Sequence, residues 1–199
     1  MKNKISIVVL CILIFCVWAF NVHRVNSTVE RVLVKVHPME QWVEYGDNFY
    51  DKATENRNGY SVKVVDAEVV GFDEFLKQNN ISVYKDEELF KAQYIYDVTV
   101  VVRNENNTNS GISMIDTTLN SINNIMQVDF DIFDALYPQL NGSISFSVKP
   151  GTEMEFHFPF VVANAEFEKI CDYSYLTSNS FYLNLSQYPI KQSIEIKVD

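Results

Sequence analysis

In the last third of the chain, apolar residues fall at every second position. Ile144, Phe146 and Val148 alternate with Ser143, Ser145, Ser147 and Lys149. Met154, Phe156, Phe158 and Phe160 alternate with Glu153, Glu155 and His157. Phe181, Leu183 and Leu185 repeat the pattern, as do Ile194, Ile196 and Val198. A period of two puts one set of side chains on one face of an extended strand, whereas a helix needs a period near 3.6. Between the first two runs, Lys149-Pro150-Gly151-Thr152 sets Pro where a type II turn presets φ, and Gly where it needs positive φ. Strands joined by tight turns, each with one apolar face, predict antiparallel sheets packed on one side.

The pattern extends backwards with interruptions. Tyr60, Val62 and Val64 alternate with Ser61 and Lys63 until Gly71. Tyr94, Tyr96, Val98 and Val100 share a face opposite Asp97, Thr99 and Arg103. Asn104 to Gly111 has loop composition, and Ile112 to Leu119 is β-prone. Two short helices interrupt the strands. Phe72 to Lys77 is one, closed by Asn79-Asn80, and Asp129 to Tyr137 is the other, stopped by Pro138. Residues 24–59 read as a polar lead-in with a short strand at Val32, Val34 and Val36 and a turn-rich stretch from Glu44 to Asn58. About seven to nine strands in roughly 140 residues predict a two-sheet antiparallel sandwich over 60–199, immunoglobulin-like in the broad sense. There is no Cys-Trp-Cys pattern of the antibody type.

The first 23 residues are of another kind. Lys2 and Lys4 precede a charge-free run from Ile5 to Phe20, and polarity returns at Asn21, His23 and Arg24. A soluble amphipathic helix would show a polar face there. Eighteen residues of helix span roughly 27 Å, close to the hydrocarbon core of a bilayer. Val25-Asn26-Ser27 is a tolerable cleavage site, but Arg24 sits awkwardly before it, so an uncleaved signal-anchor is favoured over a cleaved signal and a secreted product. Leu10 before Cys11 and Phe15 before Cys16 are too bulky for lipidation of either cysteine. Lys2 and Lys4 then predict a single-pass protein of the cell membrane, with the N-terminus cytoplasmic and the bulk of the chain extracytoplasmic.

Composition bounds the partners. The chain has 16 basic and 26 acidic residues; with Lys2 and Lys4 set aside, 14 basic face 26 acidic, near −12 outside. Such a surface repels phosphate backbones, so nucleic acid is not expected, while a basic peptide, a cationic polymer or a divalent cation would be attracted. Cys171 is the one cysteine beyond the apolar run, leaving a buried thiol or an interchain bond as its uses. Sequons at Asn26, Asn80, Asn106, Asn141 and Asn184 would matter only in a eukaryotic secretory pathway, and the Asn-, Ile-, Lys- and Tyr-rich composition suits a bacterial chain.

No nucleophile elbow, zinc-protease helix, phosphate-binding loop or dinucleotide fingerprint occurs. His23, His37 and His157 are scattered, and His157 falls on the polar face of its strand, where an exposed histidine is the plain expectation. Asp129, Asp131 and Asp134, and Asp86, Glu87 and Glu88, are the tightest acidic clusters; neither carries the loop spacing of a calcium hand. Trp42, Tyr45, Tyr50 and Tyr60 would suit a carbohydrate or peptide surface if exposed, and the core if not. No catalytic, cofactor-binding or metal residue is assigned, and no cofactor is expected.

Trp42-Val43-Glu44-Tyr45-Gly46, Phe49-Tyr50, the run from Glu55 to Val64 and Phe72-Asp73-Glu74-Phe75-Leu76 resemble a family of uncharacterised membrane-anchored proteins of Gram-positive bacteria, described as a domain of unknown function. Pro150-Gly151 followed by Phe156-His157-Phe158-Pro159-Phe160 is similar to that family's closing hairpin. The resemblance implies the same topology, with the anchor inside and an immunoglobulin-like domain outside, and implies no catalytic residue. The expectation is a non-enzymatic surface domain that binds a protein or envelope component. The alternatives are a hydrolase of envelope material working through two carboxylates, and a structural protein assembled through sheet edges or Cys171.

Overall fold

The apolar alternation becomes two large sheets and a small one, mostly antiparallel. The computed structural model describes residues 2–29, 32–47, 56–82, 92–109, 111–115, 117–122, 124–143, 145–163 and 173–198. The chain divides into two units, Met1–Val32 and Leu33–Asp199.

The first unit is a single helix, α1 (Lys2–Thr28). Its portion Ile5–Thr28 is long and apolar enough, by length and composition, to cross a membrane. Twenty-four residues rise roughly 36 Å, more than the hydrocarbon thickness. The helix runs past Arg24, whose carbonyl oxygen accepts from the hydroxyls of Ser27 and Thr28.

The second unit begins with β1 (Leu33–Pro38), β2 (Val43–Glu44), β3 (Tyr60–Gly71), α2 (Phe72–Gln78) and β4 (Ala92–Asn104). Then come β5 (Ile112–Ser113), β6 (Thr118–Asn120), β7 (Ile125–Gln127) and α3 (Phe130–Leu136). It closes with β8 (Ser145–Phe146), β9 (Thr152–Ala163), α4 (Tyr173–Ser178), β10 (Phe181–Ser186) and β11 (Ile190–Ile196). The five-stranded sheet has the order β1-β11-β10-β6-β7, the four-stranded sheet β2-β3-β4-β9, and β5 pairs with β8. Every pairing is antiparallel except β1 with β11, which run parallel with Val34 beside Lys191 and Val36 beside Ser193. The purely antiparallel expectation therefore fails at this edge. A strand separated from its partner by most of the chain is not bound by hairpin geometry and can enter the sheet in either direction.

Both large sheets turn their apolar rows into one core. Val62, Val64, Tyr96, Val98, Val100, Phe156, Phe158 and Phe160 meet Leu119, Phe181, Leu183, Leu185, Ile194 and Ile196 there. Aromatic packing is dense around Phe156, whose ring centroid lies 4.2 Å from Phe146 and 5.3 Å from Tyr137. Offset and edge contacts at such spacing add about 0.5–1.5 kcal/mol per pair beyond area burial. The expected turn is present: Thr152 N–H donates to the Lys149 carbonyl at 3.1 Å, and Gly151 has φ of 76°. Phe146 and Val148 are buried between exposed Ser145 and Ser147, while Ile144 lies outside the described residues.

One departure from simple alternation decides the outer face of the four-stranded sheet. In β3, Val64 pairs with Val100 but Asp66 pairs with Thr99, so Val65 is an extra residue. A bulge of one residue transfers the inward row from even to odd positions. Val62 and Val64 point inward before it; Ala67 and Val69 do so after it. That outer face is also not fully wet. Phe75 of α2 and Ile132 of α3 bury against Ile95, forming a second apolar cluster.

Candidate functional site

The outer face of β3, β4 and β9 carries a set of interacting polar side chains. Register places Glu68 beside Asp97 and Asp66 beside Thr99 on one side of β4, and His157 beside Thr99 on the other. Asp97 Oδ2 lies 2.6 Å from His157 Nδ1. The Asp97 side chain is only 2% exposed and the imidazole 44%. Thr99 Oγ1 stands 3.4 Å from the same nitrogen. Carboxylate and hydroxyl thus approach one ring nitrogen, unlike a nucleophilic triad, where the imidazole lies between them. The hydroxyl of Tyr137 accepts the His157 backbone N–H at 2.7 Å, tying α3's end to β9. Asp97 Oδ1 is buried and has no hydrogen-bond partner among the described residues.

The electrostatics follow from this crowding. The hydrogen bond that His157 donates to the Asp97 carboxylate raises the His157 pKa, opposed by partial burial and helped by the charges of Asp97, Glu155 and Glu68. Burial raises the Glu68 pKa, and the neighbouring charges of Asp97 and Asp66 push it further. Burial also raises the Tyr137 pKa. The sheet end near α2 therefore gathers carboxylates around His157 and favours the protonated form of its ring.

The other end is built on Trp42. The Arg103 guanidinium carbon lies 3.8 Å from the centroid of the Trp42 ring, and Lys63 Nζ lies 5.2 Å from it. Arg103 Nε in turn donates to Glu153 Oε1 at 2.7 Å, and Lys63 Nζ stands 3.9 Å from Glu40 Oε2. Partly exposed cation–π contacts of this kind contribute about 0.5–1 kcal/mol, so they hold the ring in place more than they stabilise the fold.

The residues singled out from sequence separate here. Tyr45 and Tyr60 are buried in the core, and Tyr50 lies outside the described residues. Trp42 is half-buried on the face just described. Asp129 caps α3, accepting from Ile132 N–H at 3.0 Å, and Asp134 accepts from Gly142 N–H at 2.6 Å. Both carboxylates thus serve the backbone, and Asp131 stays exposed. Asp86, Glu87, Glu88 and Cys171 lie outside the described residues. Among the described residues no three His, Cys, Asp or Glu side chains gather as metal ligands. His37 Nε2 meets Gln192 Oε1 at 3.2 Å, away from His157. The sequon at Asn184 is fully buried, its side chain held by Thr118 and Ser193. His157, expected to be a plain exposed histidine, is instead half-buried and bonded to a buried carboxylate. The two residues lie 60 positions apart, and only the β4–β9 register joins them.

Residues 34–192 match the family described as "Domain of unknown function (DUF5028)", and the chain belongs to that family. Comparison with curated proteins and with solved structures finds no match.

Proposed function

We propose that this DUF5028 protein is a non-enzymatic binding module of the bacterial cell surface. In this proposal α1 is an uncleaved single-pass anchor with Lys2 and Lys4 in the cytoplasm, and the second unit is extracytoplasmic. The two large sheets form an immunoglobulin-like sandwich in the broad sense, presenting the outer face of β3, β4 and β9 to a partner in the envelope. The host is a Gram-positive bacterium.

One observation supports the binding role. The outer face is an ordered array with a clamped Trp42–Arg103–Glu153 stack at one end, Glu155 near the centre, and exposed Asp66 and Glu68 beside buried Asp97 at the other. Aromatic and arginine side chains held before a partner arrives lose little entropy on binding and are favoured anchors of interfaces. The acidic end selects a basic protein segment or a cationic envelope polymer and repels nucleic acid.

The test is photocrosslinking in the native cell. A benzophenone amino acid replaces Glu155, which is exposed near the centre of the face, or Asn141, which is exposed on a distant turn. The expected result is a discrete adduct enriched at position 155, in the membrane fraction, carrying a basic partner. Equal labelling from both positions, or no adduct from 155, would remove the proposal.

A further inference from the structure

The five-stranded sheet ends at β1 among the described residues. Among the described residues no strand pairs with the free side of β1, and its apolar side chains stand out into solvent. Leu33, Val34 and Val36 are 56%, 56% and 53% exposed, and Val32, just ahead of the strand, is 42% exposed. The other sheet margins are short or flanked: β2 has two residues and β7 three, while β9 borders α3 and accepts from Asp129 N–H through Pro159. An unpaired edge is a template for another strand, and although Lys35 and Pro38 blunt this one, Leu33, Val34 and Val36 leave it with exposed apolar surface.

The sequence of this edge identifies what fits it. Val32-Leu33-Val34-Lys35-Val36 is self-complementary about Val34. In an antiparallel pair related by a two-fold axis through that residue, Val32 faces Val36 of a second copy, Val34 faces its own counterpart, and Leu33 faces Lys35. Residues directly opposite share a face, so the valines of both strands form one apolar ladder of six. That ladder lies on the face with Lys191 and Ser193, where Tyr182, Asn120 and Ile122 continue the groove. The alternative register about Lys35 would set two lysines face to face, which is destabilising. Pro38 has no N–H to donate, so the ladder stops there. An isologous pair uses up both edges and closes, instead of growing into a fibre.

We infer that β1 is a homodimerisation edge, pairing antiparallel with β1 of a second copy in the register centred on Val34. The inference does not depend on the partner-binding face, which lies on the other sheet.

Single cysteines read the register directly. In full-length chain with Cys11, Cys16 and Cys171 changed to serine, Val34→Cys brings two thiols together across the axis, where opposite Cβ atoms lie within about 4.5–5.5 Å and a disulfide can form. Lys35→Cys places them diagonally, opposite Leu33. Mild oxidation of membranes should give a disulfide dimer from Val34→Cys at about tenfold the yield from Lys35→Cys. Mixed expression of Val32→Cys with Val36→Cys should give a heterodimer that neither gives alone. Val36→Lys added to the Val34→Cys chain should abolish its dimer while leaving thermal unfolding unchanged. Equal yields at 34 and 35, no dimer at 34 from a chain that unfolds cooperatively, or crosslinking of Val34→Cys to a different protein would each overturn the inference.

Discussion

Asn104 offers the sharpest test of how the second unit is held together. It ends β4 with its side chain fully buried. Its Nδ2 donates to the carbonyls of Val148 at 2.7 Å and Asn107 at 2.8 Å, and its Oδ1 accepts from Asn107 N–H at 2.8 Å. Its own carbonyl accepts from Gly151 N–H at 2.7 Å. One side chain therefore joins β4, the loop after it and the segment leading into the Pro150–Gly151 turn. Asn104→Ala removes three hydrogen bonds of about 1 kcal/mol each and leaves buried groups unpaired, so a loss of about 3–4 kcal/mol is expected. For a unit of this size that lowers the melting temperature by roughly 6–16 °C. Near-ultraviolet circular dichroism of full-length chain in detergent follows the aromatic core as it melts. Asn104→Asp keeps the shape and the acceptor but has no donor for the two carbonyls when ionised. Burial beside two carbonyl oxygens would raise its folded pKa above the unfolded value near 3.9, so stability must fall as pH rises through that folded value. The aspartate variant should be the weaker of the two at pH 8, with the difference narrowing towards pH 4. An alanine variant within about 1 kcal/mol of the parent, or an aspartate variant stronger than it at pH 8, would refute the accounting.

Three further outcomes are expected. The His157 pKa is raised in the folded chain, so its stabilisation is complete below the unfolded value near 6.5 and is lost as pH rises through the folded value. Asp97→Asn should lower the imidazole pKa measured by NMR titration and flatten this dependence; an unchanged titration would show that Asp97 is not the cause. Phe156→Ala should cost about 3–5 kcal/mol in urea unfolding, whereas Met154→Ala, two residues back and half-exposed, should cost under about 1 kcal/mol. Equal losses at the two positions would contradict the core assignment. Gly151→Ala should cost about 1–2 kcal/mol, from its left-handed backbone alone, since an added Cβ there meets nothing within 4 Å; a neutral result would mean the turn changes type.

Features that depend on neighbours along the chain are legible in the sequence itself. The inward rows of β4, β9, β10 and β11, the Pro150–Gly151 turn, and the short helices after Gly71 and Asp129 all follow from local periodicity and turn chemistry. Features that need long-range register are not. Asp97 and His157 each fall on a polar face by alternation, but their meeting depends on how β9 slides along β4. The apolar cover that Phe75 and Ile132 give Ile95 is hidden as well, because amphipathic patterns of seven residues are too short to announce it. The parallel entry of β1 is hidden for the same reason: Val32, Val34 and Val36 reveal a strand but not its partner.

The extra residue at Val65 has a consequence for how this chain can tolerate insertions and deletions. Downstream of it, Asp66, Glu68 and Val70 face outward in the phase they would hold if Asp66 followed Val64 directly. A frame-preserving deletion of that single codon would join Val64 to Asp66 in regular alternation, removing the bulge while keeping Asp66 and Glu68 outward and Ala67 and Val69 inward. A substitution at the same place would merely change a half-buried side chain. The position should therefore accept removal as well as replacement, and a deletion scan of β3 should be mildest there.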